Sequence, residues 1–184
     1  AFSADGATIY FASKRERVGA IWRIPAGGGL PRRVTTGTGP ERSPAFSHDG
    51  RTLAYSTYRR NSDILVVDRL RGVLHRVGSE LHDETPAVAP DGTAVVFTSD
   101  RLGLQDLWLQ SLREGRPEGA LRRLTFLPEA GPATPDYSPD GRFIAFFRAL
   151  KGERDIWLLP SSGGQPRPFL AGHGSDLPPS FSPD

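Results

Sequence analysis

Pro44-Ala45-Phe46-Ser47-His48-Asp49-Gly50, followed by the apolar run Leu53-Ala54-Tyr55, is the stretch that decides the fold. It recurs. Ala1-Phe2-Ser3-Ala4-Asp5-Gly6 opens the chain, and Pro86-Ala87-Val88-Ala89-Pro90-Asp91-Gly92 is a third copy. Pro135-Asp136-Tyr137-Ser138-Pro139-Asp140-Gly141 is a fourth, and Pro179-Ser180-Phe181-Ser182-Pro183-Asp184 begins a fifth. The aspartates Asp5, Asp49, Asp91, Asp140 and Asp184 stand 44, 42, 49 and 44 residues apart. A repeat of this length means a solenoid, a propeller or an array of small units.

Outward from each Asp-Gly, bulky apolar residues sit three and five places after the glycine. They are Ile9 and Phe11, Leu53 and Tyr55, Val95 and Phe97, and Ile144 and Phe146. Alternation at period two predicts a strand. The intervening residues are mostly apolar as well, so both faces of the sheet are covered. A second run follows at fixed offset: Ile21-Trp22-Arg23-Ile24, Ile64-Leu65-Val66-Val67, Leu107-Trp108-Leu109 and Ile156-Trp157-Leu158-Leu159. A third is short and basic: Arg32-Arg33-Val34-Thr35, His75-Arg76-Val77, Arg122-Arg123-Leu124-Thr125, and a proline-broken version from Arg167 to Leu170.

With the segment before each Asp-Gly, every repeat holds four short strands. Ser-Pro-Asp-Gly at 138–141 suits a type I turn, which assigns Asp5, Gly6, Asp49, Gly50, Asp91, Gly92, Asp140 and Gly141 to structural turns. The joins between the third and fourth strands, Ser111 to Gly119 among them, are Gly-rich or polar and fit hairpins. No stretch shows sustained helical spacing. Four antiparallel strands per repeat of about 45 residues is the pattern of a β-propeller blade. The expected fold is therefore all-β, with four consecutive four-stranded antiparallel blades. They occupy 1–40, 41–83, 84–132 and 133–176, and a fifth starts at 177–184. Because 180–184 repeats a strand that Ala1 to Asp5 already supplies, the chain is expected to be an arc of a ring of six or more blades.

Composition narrows the function. The 184 residues are 37% hydrophobic and 24% charged, with net charge +2 and no cysteine. That excludes disulfides and thiolate metal sites. No apolar run approaches the roughly 20 residues of a membrane helix. The excess of arginine is too dispersed to predict nucleic-acid binding. There is no Gly-x-Ser-x-Gly elbow, no phosphate-cradling loop and no histidine spacing suited to a metal. No catalytic residue, cofactor or metal is expected. The chain has no methionine and begins inside a repeat, which reads as a segment of a longer protein. Blades with bared end faces are expected to be marginal alone, to aggregate, or to pair with a second copy or the remaining blades.

The recurring pattern resembles the TolB-type, WD-repeat-like propeller repeat. It runs Asp-x-x-Pro-x-Phe-Ser-Pro-Asp-Gly, then Ile-Ala-Phe, then Ser-Asp-Arg, then Asp-Ile-Trp, then Arg-Arg-Leu-Thr. Thr98-Ser99-Asp100-Arg101, Asp106-Leu107-Trp108 and Arg122-Arg123-Leu124-Thr125 carry it in the third repeat, and Asp155-Ile156-Trp157 in the fourth. The first repeat departs from it, with Ala20 where the others have Asp63, Asp106 and Asp155. The resemblance implies a non-catalytic scaffold binding a protein or peptide at the channel mouth. For TolB itself it implies an envelope lipoprotein partner and a periplasmic location. The alternatives are the propeller gate of a prolyl-oligopeptidase-like peptidase and the sensor domain of a bacterial kinase or regulator.

Candidate binding residues follow from the blade plan. Glu41, Asp83 and Asp176 precede the recurring proline and are expected around one end of the channel, as partner-binding carboxylates or as caps of their own loops. Arg15, Arg17, Arg60, Arg101 and Arg148 lie on the loops around that mouth. Some are expected to pair with the aspartate that opens the third strand: Arg60 with Asp63, Arg101 with Asp106 and Arg148 with Asp155. The arginines of the fourth strand are expected to protect its edge, with a polyanion-binding rim as the alternative. The recurring tryptophans are expected in the packing between blades.

Overall fold

The computed structural model describes all residues except 4, 17, 37–39, 59–61, 78–81, 128–130, 151, 152, 171, 173–175, 177, 178 and 182–184. Every regular element among the described residues is a β-strand. The strands form four separate antiparallel sheets in chain order. The first is β1 (Thr8–Glu16), β2 (Val18–Pro25) and β3 (Arg32–Arg33). The second is β4 (Glu41–Phe46), β5 (Thr52–Tyr58), β6 (Ser62–Asp68) and β7 (Val73–Val77). The third is β8 (Asp83–Val88), β9 (Ala94–Leu102), β10 (Leu104–Arg113) and β11 (Arg116–Arg123). The fourth is β12 (Pro132–Tyr137), β13 (Phe143–Leu150), β14 (Glu153–Pro160) and β15 (Arg167–Leu170). The first sheet has three named strands; its innermost position is held by a single bridge between Phe2 and Ile9.

Sheets pack face to face, and the alternation of side chains decides what meets. Ala54, Ile64 and Val66 of the second blade face Val95, Phe97 and Leu112 of the third in one buried cluster. Val96, Leu107 and Leu109 of the third face Ile144, Phe146 and Leu159 of the fourth. Trp108 and Trp157 pack against these two clusters. Ile21, Leu53 and Tyr55 make a smaller core between the first two blades. The Trp22 ring is buried beneath the Arg15 guanidinium, 6.0 Å from its centroid.

The Ser-x-Asp-Gly motif is a turn closed by its own side chains. The carboxylates of Asp5, Asp49 and Asp140 accept from the hydroxyls of Ser3, Ser47 and Ser138 at 2.5, 2.6 and 2.6 Å. The same carboxylates accept the amides of Ala7, Arg51 and Arg142. Each serine oxygen in turn accepts the amide that starts the next strand, at Thr8, Thr52 and Phe143. In the third blade Ala89 replaces the serine, and the Thr93 hydroxyl bonds Asp91 instead. The turn glycines have φ between 64° and 73°.

The serine hydroxyl, then the backbone amide, holds the Asp5 and Asp140 carboxyls below the ordinary aspartate value. At Asp49 burial opposes the same two bonds, which prevail. A depressed carboxyl adds stability above its unfolded value of 3.8 and loses it as pH falls through the lower folded value. Urea unfolding at pH 7 and pH 3 should therefore show a smaller acid loss for S3A/S47A/S138A than for the parent chain. Equal losses would show that the turn carboxylates do not sense the serines.

The Ser111–Gly119 join forms the expected connection with a tighter turn than the polar stretch suggests. It is a hairpin whose ladder runs to Arg113 opposite Arg116. Its two-residue turn, Glu114-Gly115, has φ of 51° and 72°, the positive pair of a type I′ turn. A β-carbon on Gly115 would come within 3.0 Å of the Asp68 side chain in the neighbouring blade. The turn thus doubles as an inter-blade contact.

Candidate functional site

The innermost strands β4, β8 and β12 stand side by side and wall a concavity of about 590 Å³. Each carries the same defect. Between Arg42 and Ala45, Glu84 and Ala87, and Ala133 and Asp136, one extra residue is inserted against the partner strand. The bulged residues Ser43, Thr85 and Thr134 have φ of 50°, 48° and 49°, a region that non-glycine residues rarely adopt. A proline follows each, and bulges are where a strand tolerates one. The bulges turn Pro44, Pro86 and Pro135 toward the concavity they line.

Asp136 is a channel residue that the sequence reading passed over. It occupies the place of Ala45 and Ala87, and that departure from small apolar residues was the available signal. Its carboxylate accepts the Phe181 amide at 2.9 Å. Burial pushes its carboxyl above the ordinary aspartate value, against its bonds to Phe181 and Ser180.

At the end where β4, β8 and β12 begin, Asp83 is fully buried and bonds Arg101 at 2.8 Å. The Arg101 side chain is only 12% exposed. Its guanidinium lies 4.7 Å from the Trp108 ring and 5.3 Å from Phe97, a cation–π sandwich over apolar packing. Glu41 is also buried, and accepts the hydroxyl of Thr35. Thr35 accepts the Ile21 amide. In the third blade the equivalent Thr125 accepts the Leu107 amide and donates to Asp106. Glu41 therefore supplies, from the next blade, the acceptor missing at Ala20. Both carboxylates are tied into the protein rather than open to the channel.

Asp176 is half-buried, and its amide donates to the Arg154 carbonyl at 2.9 Å. Arg15 is exposed and stacks on Phe11 and Trp22. Arg148 lies 5.3 Å from the Trp157 ring. Arg17 and Arg60 lie outside the described residues, and with Arg60 its expected pairing to Asp63. Between the described arms of this end, β9 and β10 turn at Leu102-Gly103-Leu104, with Leu102 63% and Leu104 49% exposed.

The expected pairing of Arg101 with Asp106 is replaced by a different one. Asp106 is fully buried and bonds Arg123 of the outer strand, while Arg101 turns inward to Asp83. Asp63 likewise bonds Arg76 of the outer strand at 2.7 Å. The ladder explains this. Arg123 sits opposite Trp108, beside Asp106 on the same sheet face. Two members of the basic outer stripe thus fasten the edge strand to its neighbour, and Arg122 crosses to the carbonyls of Ser161 and Ser162 in the next blade.

A family profile described as TolB beta propeller domain matches residues 1–126. This chain belongs to the TolB β-propeller family. An uncharacterised protein of Agrobacterium fabrum is 34% identical over 110 residues, 58% of this chain and 37% of its own length. The Tol-Pal system protein TolB of Desulfotalea psychrophila is 31% identical over 106 residues, covering 54% of this chain and 24% of that protein. A solved structure of a TolB-type protein from Agrobacterium tumefaciens superposes with a TM-score of 0.82 at 27% identity. It covers 99% of this chain and 69% of the other. The TolB repeat accounts for the four sheets, and the present chain spans only a quarter to two-thirds of the proteins it resembles.

Proposed function

We propose that this TolB-type segment is a non-catalytic scaffold that captures a protein or peptide at the end of the channel where the innermost strands begin. The observation that carries the reading is the Leu102-Gly103-Leu104 tip. Two leucines stand exposed beside Arg101, at the end that also presents Asp176. An apolar tip next to charged groups suits a partner with an apolar anchor inside a polar rim. Glu41 and Asp83 hold the fold beneath this surface, while Arg15, Asp176 and the leucines make the contact. Arg148 belongs to its basic periphery. The blades work by binding, with no nucleic acid, cofactor or membrane insertion involved.

The relatives named for the Tol-Pal system suggest the partner class, an envelope lipoprotein, and with it a periplasmic setting. Titration of the chain with the soluble domain of the lipoprotein from the same genome should give saturable binding. L102S/L104S should weaken it at least about tenfold, the effect of losing an apolar hot spot, with an unchanged thermal midpoint. D176A with R15A should weaken it further. Full-strength binding by L102S/L104S would remove this end of the channel as the site.

A further inference from the structure

The seam between the first and second blades differs from the other seams in charge. In the ladder, Arg23 pairs with Tyr10 as Val66 pairs with Ala54, Leu109 with Val96 and Leu158 with Ala145. Arg23 therefore holds a position that is buried and apolar in the second and third blades. Across the seam stands Arg69. Its amide donates to Arg51 as that of Leu112 donates to Thr93 and that of Ser161 to Arg142. Between the second and third blades these two positions are Val66 and Leu112, packed in one core. Between the first and second they are two arginines.

The result is a cleft of about 310 Å³ lined by Arg23, Arg33 and Arg69, with Leu53, Val67 and Thr35 among its walls. Among the described residues none of its lining side chains is a carboxylate. Arg69 is held in place. Its guanidinium donates to the Gly50 carbonyl at 2.8 Å and stacks over Tyr10 and Phe46 at 5.6 and 5.4 Å. The next seam supplies its own counter-charge, since Arg71 bonds Glu114 across it at 2.5 Å. Among the described residues lining the Arg23–Arg69 cleft there is no such group, and the like charges of these two exposed side chains repel.

We propose that this cleft binds a doubly charged oxyanion of the phosphate class carried on a small apolar body. Arg23 and Arg69 approach the anion from opposite blades, and guanidinium groups match a phosphate's oxygens in pairs. Leu53 and Val67 form the floor under the organic part. A volume near 310 Å³ is at the small end of ligand pockets, about 300–1,000 Å³. The anion joins two blades and stabilises a seam that the arginines alone leave open.

Isothermal titration of the chain with phenyl phosphate, inorganic phosphate and phenol at matched ionic strength tests this. One saturable site for phenyl phosphate, weaker binding of inorganic phosphate and none of phenol are expected. R23V/R69L installs the residues of the neighbouring seam. It should weaken phenyl phosphate binding at least about tenfold, the scale of losing a charge-assisted pair, and raise the thermal midpoint without ligand. R23Q, which keeps the cleft polar, should weaken binding several-fold and serves if the double variant fails to fold. No saturable binding by the parent chain, equal binding of phenol, or unchanged affinity in R23V/R69L and R23Q would overturn the proposal.

Discussion

Asp106→Ala is expected to remove about 3–5 kcal/mol of folding stability, the usual effect of deleting one partner of a buried ion pair. The carboxylate is fully buried and accepts from Arg123 and from the Thr125 hydroxyl. Without it, the 1%-exposed Thr125 keeps its bond to the Leu107 amide but loses its acceptor. Arg123 loses the anchor that binds the outer strand β11 to β10. The first blade shows the compensation such a loss requires. There Ala20 stands in the aspartate's place, and Glu41 reaches in from the second blade to accept the hydrogen bond of the Thr35 hydroxyl. The fourth blade has Pro132 at the position of Glu41, so the third blade has no substitute acceptor there. Equilibrium urea unfolding of the variant reads the loss. A change under about 1 kcal/mol, the size of a surface pair, would mean that this network is solvated in solution.

Phe97→Ala should have an effect of similar size, about 3–5 kcal/mol for a fully buried aromatic ring. Phe97 is 0% exposed and lies in the cluster shared by the second and third blades. The cavity would open between two sheets that no backbone hydrogen-bond ladder connects, so neither can close over it by shifting register. The ring also carries the Arg101 guanidinium at 5.3 Å, so its loss loosens the Asp83–Arg101 pair at the channel end. Thermal and urea unfolding report the first effect. A variant within about 1 kcal/mol of the parent, as after a tolerated repacking, would place Phe97 outside the packing.

What was legible in the sequence was the part written locally and repeated. Ser-x-Asp-Gly closes its turn through groups at most five residues apart, so its repetition marks one edge of each sheet. The alternation in β5, β9 and β13 states which residues face a neighbouring blade. The fate of the charged residues was hidden, because it is decided across ladders. Arg101 and Asp106 are close in sequence, yet β9 and β10 turn between them, and each side chain meets a partner from another strand. Glu41 looks like a channel carboxylate until Ala20 leaves Thr35 without an acceptor. The Glu114-Gly115 turn escaped notice because glutamate is an unusual first residue for that geometry. Arg23 and Arg69 are unremarkable singly, and become informative only when the registers of four sheets are laid over one another.

Amide hydrogen exchange on the parent chain and on Phe97→Ala tests the face-to-face stacking of the four sheets most directly. The account predicts slow exchange in β6, β9 and β10 of the parent, and a joint loss of protection in β6 and β9 of the variant, although these strands share no backbone hydrogen bond. Loss confined to β9, with β6 as protected as before, would contradict it.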